Sequence, residues 1–426
     1  MKMNIWSDCK KLPLTEVLSF IVDNRGKTVP TTTSGHILIA TNCIKNDRLY
    51  PCYEKIRFLS EDTYQSFFRS HPIPGDILFV CKGTPGRCAL VPDPIDFCIA
   101  QDMVGLRANK SIIDNKYLLA VLRSYEIQKF IYNTSVGDVI PHFKKQFFNK
   151  LLIPVPPMEL QTKIGAFYYS ISQKIENNNK INGNLEAQAE ALFKSWFVDF
   201  TPFKDQPFVD SELGPIPQGW KVGKYEDIIL DTLAGDWGKE KITGNYTHEV
   251  ACVRGCDFQD MNNGYRGNTP QRYILEKNYS AKRLLPQDLI IEISGGTLTV
   301  STGRACLVSK EMLEKYDNNL VCTNFCKVIR PIDGYSAYCY YSWLHKYNNR
   351  VMFGYENGSS GLKNFRFKDF LTKEPLLIPP KADLIKFQHI IKLLQQKKQT
   401  NGTESTKLAA LRDTLLPKLM SGEIKL

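Results

Sequence analysis

The sequence lacks any apolar run of the roughly 18–20 residues that a membrane-spanning helix needs. Its longest apolar stretches, such as residues 289–293, are short and interrupted. The first residues contain no apolar signal segment, so we expect no secretion and no membrane partner. The 12 cysteines are dispersed along a chain of 426 residues, which indicates reduced thiols and predicts a cytoplasmic protein.

Catalytic motifs are also missing. Gly26-Lys27-Thr28 resembles the end of a phosphate-binding loop, but Ile21 stands where that loop needs glycine. No Gly-x-Ser-x-Gly, His-Glu-x-x-His or Gly-x-Gly-x-x-Gly occurs, and neither does the Asn/Asp-Pro-Pro-Tyr/Phe clamp of amino-methyltransferases. The one Glu-x-Lys, at 423–425, is better explained as a solvated tail. The sequence predicts no catalytic residues, and hence a chain that is not an enzyme by itself.

Two cysteine pairs are the one candidate metal site. Cys252 and Cys256 are separated by three residues, as are Cys322 and Cys326. Four thiolates would suit zinc, but no histidine is spaced alongside, and the first half of the chain has no matching set. Buried neutral thiols are the favoured interpretation, so we expect no metal.

Composition and charge leave a binding function open. Hydrophobic residues make up 43% and charged residues 23%, as in a folded globular chain. The formal net charge is +11, which permits a polyanionic partner such as nucleic acid without requiring one. The excess is uneven, because residues 1–157 contain 20 basic and 14 acidic side chains and residues 201–380 contain 22 and 21.

The chain contains an internal repeat. Four pairs of segments recur in the same order at offsets that rise from 212 to 225, and they are 26–27 with 238–239, 74–79 with 286–291, 86–91 with 303–308, and 148–157 with 370–380. Such a series indicates two copies of one unit of about 200 residues. Within each copy, short apolar runs broken by Gly, Pro and Asn predict strands and turns. A short helix is predicted near 116–132 and near 335–347, before each Ile-Pro element.

After each Ile-Pro element the apolar residues step by three and four for about 35–40 residues, which predicts a long helix with a coiled-coil seam. Both seams turn polar midway, at 177–182 and at 397–406, so the helices are expected to pair antiparallel with these gaps aligned. Asn401-Gly402-Thr403 predicts a break or kink in the second helix. The proline-rich residues 201–219 predict an extended linker without regular structure.

The predicted fold class is α+β, with two similar globular recognition domains separated by two long antiparallel coiled-coil helices in a pseudo-twofold repeat. The predicted boundaries are 1–157 for the first domain, 158–200 for its helix, 201–219 for the linker, 220–380 for the second domain and 381–426 for the last helix. A helix over 158–199 would span roughly 63 Å, enough to hold two domains over DNA half-sites about 34 Å apart. Because the copies differ in sequence, we expect a bipartite, asymmetric target.

Several motifs resemble those of specificity subunits of type I restriction–modification systems. They are LFKSWFVDFTPFK at 192–204, GPIPQGW at 214–220, DNRGKT at 23–28, GDIL at 75–78 and LLPKLMSGEI at 415–424. The resemblance covers the whole chain. It implies two target-recognition domains on double-stranded DNA, a complex with two methyltransferase subunits, and restriction subunits. Adenine methylation, S-adenosylmethionine, ATP and Mg²⁺ would belong to those partners, with no cofactor on this chain.

Candidate DNA contacts lie in loops that combine glycine with basic residues. Aligning Phe143 with Phe365, in the loops 137–146 and 361–368, places Lys144 opposite Arg366 and His142 opposite Asn364. Lysine and arginine meet phosphates or guanine edges, and asparagine pairs with adenine. The candidate DNA-binding residues are Lys27, Lys82, Arg87, His142, Lys144, Lys145, Lys239, Arg304, Lys363, Asn364 and Arg366. Solvated loops remain an alternative for the paired loops, and Arg87 and Arg304 are more simply explained as turn residues.

The long helices are expected to present apolar residues beyond their seam, namely Tyr168, Phe193, Phe197 and Ile390, which could contact methyltransferase helices or pack on the globular domains. Two other functions stay open: a structural coiled-coil scaffold without DNA recognition, and an enzyme with an unrecognised active site. The divergence between the two copies argues against a scaffold, which has no evident use for two different domains.

Overall fold

The computed structural model describes residues 4–24, 26–137, 139–358 and 363–424, and it divides the chain into two compact units. The first unit comprises Met1–Asn177 together with Ser405–Leu426, and the second comprises Asn178–Glu404. Each of the two long helices contributes residues to both units. Over the described ranges, no helix has the length and apolar character needed to cross a membrane.

The first unit combines short strands with short helices. Its strands are β1 (Lys10–Pro13), β2 (Leu18–Val22), β3 (His36–Ile39), β4 (Arg57–Leu59), β5 (Ile77–Val80), β6 (Cys88–Leu90), β7 (Phe97–Ile99), β8 (Met103–Ala108) and β9 (Leu152–Val155). Its helices are α1 (Ile5–Asp8), α2 (Glu61–Ser66), α3 (Asn115–Leu122), α4 (Tyr125–Thr134) and the first part of α5 (Met158–Phe197), with 3₁₀ turns at Leu14–Glu16, Thr41–Cys43 and Lys145–Phe147.

The second unit has the same kinds of element. Its strands are β10 (Phe208–Val209), β11 (Ile216–Pro217), β12 (Lys221–Lys224), β13 (Ile229–Ala234), β14 (Tyr246–Val253), β15 (Gln271–Leu275), β16 (Leu289–Glu292), β17 (Ser294–Gly295), β18 (Ala305–Leu307), β19 (Leu320–Cys322), β20 (Cys326–Pro331), β21 (Glu356–Asn357), β22 (Lys363–Phe365) and β23 (Pro375–Ile378). Its helices are α6 (Phe258–Asn262), α7 (Glu276–Lys282), α8 (Lys310–Glu314), α9 (Ser336–Asn348), α10 (Phe367–Lys373) and the first part of α11 (Lys381–Met420), with 3₁₀ turns at Thr201–Phe203, Tyr225–Ile228, Gly255–Asp257 and Val351–Tyr355.

The sheets confirm the repeat. In the first unit a four-stranded sheet has the order β2-β8-β5-β6, and a three-stranded sheet has the order β4-β3-β7. The second unit repeats these as β13-β20-β16-β18 and β15-β14-β19. Even the mixed pairing recurs, because β3 is parallel to β7 and β14 is parallel to β19. The β1-β9 pair, which leads into α5, corresponds to β12-β23, which leads into α11.

A buried ion pair recurs inside the four-stranded sheets and explains one repeated motif. Asp76, which is 2% exposed, accepts two hydrogen bonds of 3.0 Å from the Arg107 guanidinium. Asp288, which is 1% exposed, accepts two of 2.9 Å from Arg330. Each carboxylate also accepts an N–H from three residues earlier, and thereby closes the turn that enters the central strand. The Pro-x-Asp repeat therefore serves the fold.

The linker prediction is wrong. Residues 201–219 contain a 3₁₀ turn and a two-residue hairpin in which Phe208 pairs with Pro217 and Val209 with Ile216. Phe203 and Ile216 are buried in the core of the second unit, beside Trp220. Proline-rich composition indicates extended backbone, but apolar side chains at these positions gain enough burial to order it.

The two long helices pair antiparallel within each unit, as predicted. In the second unit, successive residues of α5 meet successively earlier residues of α11, because Asn182 contacts Asn401 and the Phe197 ring lies 4.9 Å from the Phe387 ring. In the first unit the Arg412 guanidinium lies 5.3 Å from the Tyr168 ring centroid. α5 begins at Met158 and ends at Phe197, close to the predicted 158–199.

The polar gaps do align. The Nδ2 of Asn401 donates to the Oδ1 of Asn182 over 2.9 Å, and the Nδ2 of Asn178 donates to Glu404 over 2.8 Å. The Lys398 ammonium pairs with Glu186 across the same layer. The three buried asparagines lose these partners if either helix shifts by one residue, so the layer fixes the register.

Two expectations about these helices are wrong. α11 continues through Gly402 without a break. The glycine instead permits close packing, since a Cβ there would lie 2.4 Å from the Asn263 carbonyl oxygen. Tyr168, Phe193 and Phe197 are 3–5% exposed and belong to the cores of their units, so they are not partner-facing residues.

Candidate nucleic-acid interface

In the first unit, three loop segments meet beyond the end of β5. The N–H groups of Cys81 and Lys82 donate to the Asp102 carbonyl over 2.9 and 3.3 Å. Lys82 and His142 form an antiparallel bridge, and Phe143 donates its N–H to the Cys81 carbonyl over 2.8 Å. Phe143 is fully buried and anchors the loop, so the residues on either side of it are held at the surface.

The candidate basic residues of the first unit gather at this place. Lys82, Lys144 and Lys145 are exposed, and Lys145 forms an ion pair with Asp23. Partial burial lowers the pKa of His142, and the positive charges of Lys82 and Lys144 lower it further. The structure thus brings Lys82, His142, Lys144 and Lys145 together into one positive surface, suited to phosphate contact.

The second unit builds the equivalent loops with the same backbone contacts. Ile293 donates its N–H to the Phe325 carbonyl over 2.9 Å, and Phe365 donates its N–H to the Ile293 carbonyl over 2.8 Å. Asn364 pairs with Ser294 on one side and with Asn357 on the other, as His142 does with Lys82 and Val136. The structure therefore confirms the alignment of Phe143 with Phe365. Asp138 and Gly361 lie outside the described residues.

The basic candidates of the second unit are held by acidic or carbonyl partners. Lys363 pairs with Glu356 at 2.7 Å. Arg366 pairs with Asp369 at 3.0 Å and also donates to the Gly354 carbonyl. Asn364 is exposed between them. Lys363 and Arg366 therefore keep less free charge than Lys82 and Lys144, in line with the weak net charge of this half.

The two Gly-Lys pairs occupy equivalent turns. Gly26 has a φ of +68°, and its N–H donates a hydrogen bond to the Asn24 Oδ1 over 3.3 Å. Gly238 has a φ of +63°, and its N–H donates to Asp236 over 3.1 Å. Lys27 and Lys239 follow these left-handed glycines at exposed positions. The Lys239 ammonium lies 5.6 Å from the Tyr246 ring centroid.

The two Gly-Arg pairs have diverged. Arg304 is fixed by Glu292, which is 4% exposed and accepts from the Arg304 Nε over 2.8 Å. Val80 stands at the place of Glu292 in the first unit, because Val80 and Glu292 make the same backbone bonds to Arg87 and Arg304. The ion pair with Glu292 holds Arg304 within the chain, although the Arg304 side chain stays 40% exposed. Arg87 instead borders an open groove of about 840 Å³ with Asn46 and Gln128.

Sequence reasoning missed two groups of surface residues. In the first unit Tyr132, which is 83% exposed, lines the same groove as Arg87. In the second unit a cavity of about 520 Å³ is lined mainly by Trp237, Arg254, Ser294, Asn324 and Phe325. A charge search cannot find an aromatic cavity of this kind. The repeat alignment would have found part of it, since Ser294 corresponds to Lys82.

The cysteine pairs favour the neutral interpretation. Burial raises the pKa of Cys252 and that of Cys322 to about 12, and it raises the pKa of Cys326 further. Zinc binds the thiolate, which these surroundings disfavour. Cys256 is exposed, whereas Cys252, Cys322 and Cys326 are buried. No disulfide joins any of the 12 cysteines, and the described part of the chain places no three potential ligands together for a metal ion.

Comparisons with known proteins agree with this architecture. The family described as the type I restriction modification DNA specificity domain matches residues 30–187. The MjaIX specificity subunit of Methanocaldococcus jannaschii is 26% identical over 372 residues, which cover 82% of this chain and 78% of that protein. The HindI specificity subunit of Haemophilus influenzae is 23% identical over 414 residues, covering 82% and 86%.

A solved structure shares the fold. The crystal structure of the type I restriction–modification S subunit from M. genitalium superimposes with a TM-score of 0.53, covers 98% of each chain and is 15% identical in sequence. The shared fold therefore extends over 98% of the chain, and the similarity in sequence to the two specificity subunits extends over 82% of it. The chain thus contains a type I restriction modification DNA specificity domain at residues 30–187, and over most of its length it is similar to specificity subunits of type I restriction–modification systems.

Proposed function

We propose that this chain is the non-catalytic DNA-specificity subunit of a type I restriction–modification complex. Each globular domain recognises one half of a bipartite, asymmetric target in double-stranded DNA. Partner methyltransferase subunits then methylate adenine with S-adenosylmethionine, and restriction subunits cleave DNA with ATP and Mg²⁺. This chain binds none of those cofactors in the proposal, and it acts in the cytoplasm, where the DNA is.

The observation that carries the proposal is a duplicated scaffold with diverged loops. The two units share strand order, the buried Asp–Arg pair and the loop contacts of Phe143 and Phe365. At the surface of those loops, however, the lysine-rich patch of one unit corresponds in the other to neutral and aromatic residues beside basic side chains that are held in ion pairs. Two such surfaces suit two different DNA sequences, whereas phosphate binding alone would need only charge.

The long helices support a role for methyltransferase partners. Ile385, Ile390, Leu393 and Leu411 are between 36% and 63% exposed on α11. Large apolar residues on a paired helix are suited to further helices, which would bury them in a four-helix arrangement. The proposal assigns one methyltransferase subunit to each helical region, which gives the two of the complex. Among the residues that the sequence analysis expected to face a partner, Ile390 is exposed and is still proposed to contact a methyltransferase helix.

The first prediction concerns the methylation pattern in cells. Cells that express this chain together with its methyltransferase are expected to carry methyladenine at one split, asymmetric motif, and cells that lack the chain are expected to lose it. The measurement is base-resolution methylation mapping of genomic DNA. An unchanged methylation pattern, with both proteins expressed and co-purifying, would contradict the proposal. Failure to co-purify would instead favour the scaffold alternative.

A second prediction concerns pH. Burial and nearby lysines lower the pKa of His142 in the free protein, and DNA phosphates would raise it again. Binding then takes up a proton, so DNA affinity is expected to increase as the pH falls from 7.5 to 5.5, by up to about tenfold per unit of pKa change. Fluorescence anisotropy of the methyltransferase complex at constant ionic strength measures this.

The matched variant is His142→Gln, which keeps a polar side chain but cannot titrate. It is expected to flatten the pH dependence while binding at pH 7.5 stays similar, because His142 is largely neutral there. Identical pH profiles for the two proteins would remove His142 from the interface.

A further inference from the structure

Four pairs of surface positions are related by the repeat, and we call them the readout positions. They are Lys82 and Ser294, Gln101 and Asn324, Asp102 and Phe325, and His142 and Asn364. The first member of each pair belongs to the first unit, and the second member to the second unit.

The backbone establishes this correspondence. Ala100 donates its N–H to the Ile39 carbonyl, and Thr323 donates its N–H to the Val253 carbonyl, so the next residues, Gln101 and Asn324, occupy the same turn. The following carbonyls, of Asp102 and Phe325, accept the N–H of Cys81 and that of Ile293. Both turns join a strand of the three-stranded sheet to a strand of the four-stranded sheet.

Divergence at the readout positions contrasts with the residues beneath them. The anchors Phe143 and Phe365 are both phenylalanine and both buried. Above them, lysine is replaced by serine, aspartate by phenylalanine and histidine by asparagine. Packing explains why the anchors are alike. Packing does not explain why the Phe325 side chain is 58% exposed. Exposing an aromatic ring to water is unfavourable in free energy, and the aspartate at the equivalent turn of the first unit avoids it.

The side chains also have the chemistry of base recognition. An amide pairs with the N6 and N7 atoms of adenine, an aromatic or aliphatic group packs on the thymine methyl, and lysine meets guanine O6 and N7. Asn324 and Phe325 border the 520 Å³ cavity, beside Trp237. In the first unit Gln101 occupies the equivalent turn, and its side chain ends in the same amide group as that of Asn324.

We propose that the readout positions determine which bases each unit recognises. Asn324 and Phe325 contact base edges, an adenine and a thymine methyl, in the half-site of the second unit. Gln101 and Lys82 contact an adenine and a guanine in the half-site of the first unit. This inference rests on the proposed function, and it adds the residues that distinguish one target sequence from another.

The test uses the full chain with its methyltransferase and maps methylation for three variants, Asn324→Ala, Phe325→Ala and Gln101→Ala. The first two are expected to relax base preference at one or two positions of one half-site, by roughly tenfold to a hundredfold, and to leave the other half-site unchanged. Gln101→Ala is expected to relax the other half-site. Each complex therefore contains its own control.

Ile332→Ala is the matched surface variant, because Ile332 is 40% exposed and follows β20, whereas Phe325 precedes it. It is expected to leave both half-sites unchanged. Thermal unfolding of each chain checks that the substitutions do not alter the fold. If the wild-type complex methylates a defined motif and all three readout variants methylate the same motif, this inference is overturned while the proposed function stands. A wild-type complex without any motif would overturn the proposed function and this inference with it.

Discussion

Gly402→Ala is expected to lower the free energy of unfolding of the chain by about 3 kcal/mol, the upper range for overpacking a tight site. A Cβ at this position would lie 2.4 Å from the Asn263 carbonyl oxygen and 2.4 Å from the carbonyl carbon of Gly264. Both obstacles are backbone atoms, which cannot rotate away. The 263–264 turn would have to move, and with it the Asn263 carbonyl that accepts a hydrogen bond from Asn182.

Gly183→Ala is the matched control. Gly183 lies on α5 in the same unit, and a Cβ there would meet nothing within 4 Å. Because alanine favours the helix over glycine, this variant is expected to stabilise the chain by about 0.5–1 kcal/mol. Urea unfolding of both variants measures the difference. Similar effects for the two glycines would show that Gly402 has no special packing role.

Asp288→Ala is expected to lower the free energy of unfolding by about 3–5 kcal/mol, as removal of one partner of a buried ion pair generally does. Arg330, which donates twice to Asp288 at 2.9 Å, would be left without its carboxylate inside the sheet. The N–H of Leu285 would also lose its acceptor, at 2.8 Å from Asp288 in the native turn. The loss is expected to be similar for Asp76→Ala in the first unit.

Asp231→Ala separates this local pair from a general effect of charge. Asp231 is exposed and lies opposite Arg330 in the register of β13 and β20. Its removal is expected to change stability by less than about 0.5 kcal/mol, since surface substitutions rarely do more. Denaturant unfolding of the two variants under the same conditions makes the comparison. Equal losses at Asp231 and Asp288 would contradict the assignment of a buried pair.

Features that depend on sequence period or on repetition were predictable. The four matched segments predicted two copies of one unit, and the increase of the offset from 212 to 217 corresponds to a longer loop in the second unit, between Gly295 and Gly303, than in the first, between Gly83 and Gly86. The polar gaps predicted antiparallel pairing, since Asn182 and Asn401 have partners only in that arrangement. These inferences needed spacing alone.

Features that depend on what lies opposite a residue were not predictable. Glycine in a helix indicates a weak point unless another backbone packs on it, and residues 263–264 are far from Gly402 in sequence. The spacing of Phe193 along α5 is the same whether its side chain faces the core or the solvent. Its place in the core of the second unit could therefore not be inferred from the sequence. Arg304 and Arg87 stand in the same motif, yet the carboxylate of Glu292 belongs to another strand. Whether the remaining candidates contact DNA stays a prediction.

The division of the chain into units has a consequence for synthesis on the ribosome. All residues of the second unit are contiguous, from Asn178 to Glu404, whereas the first unit needs the segment from Ser405 onward. Leu416 and Met420 of that segment belong to the same core as Ile164. The unit that is translated first is therefore the last whose core is complete. During most of translation, apolar residues of the first unit await helix α11, so nascent chains halted before Ser405 would need protection from aggregation.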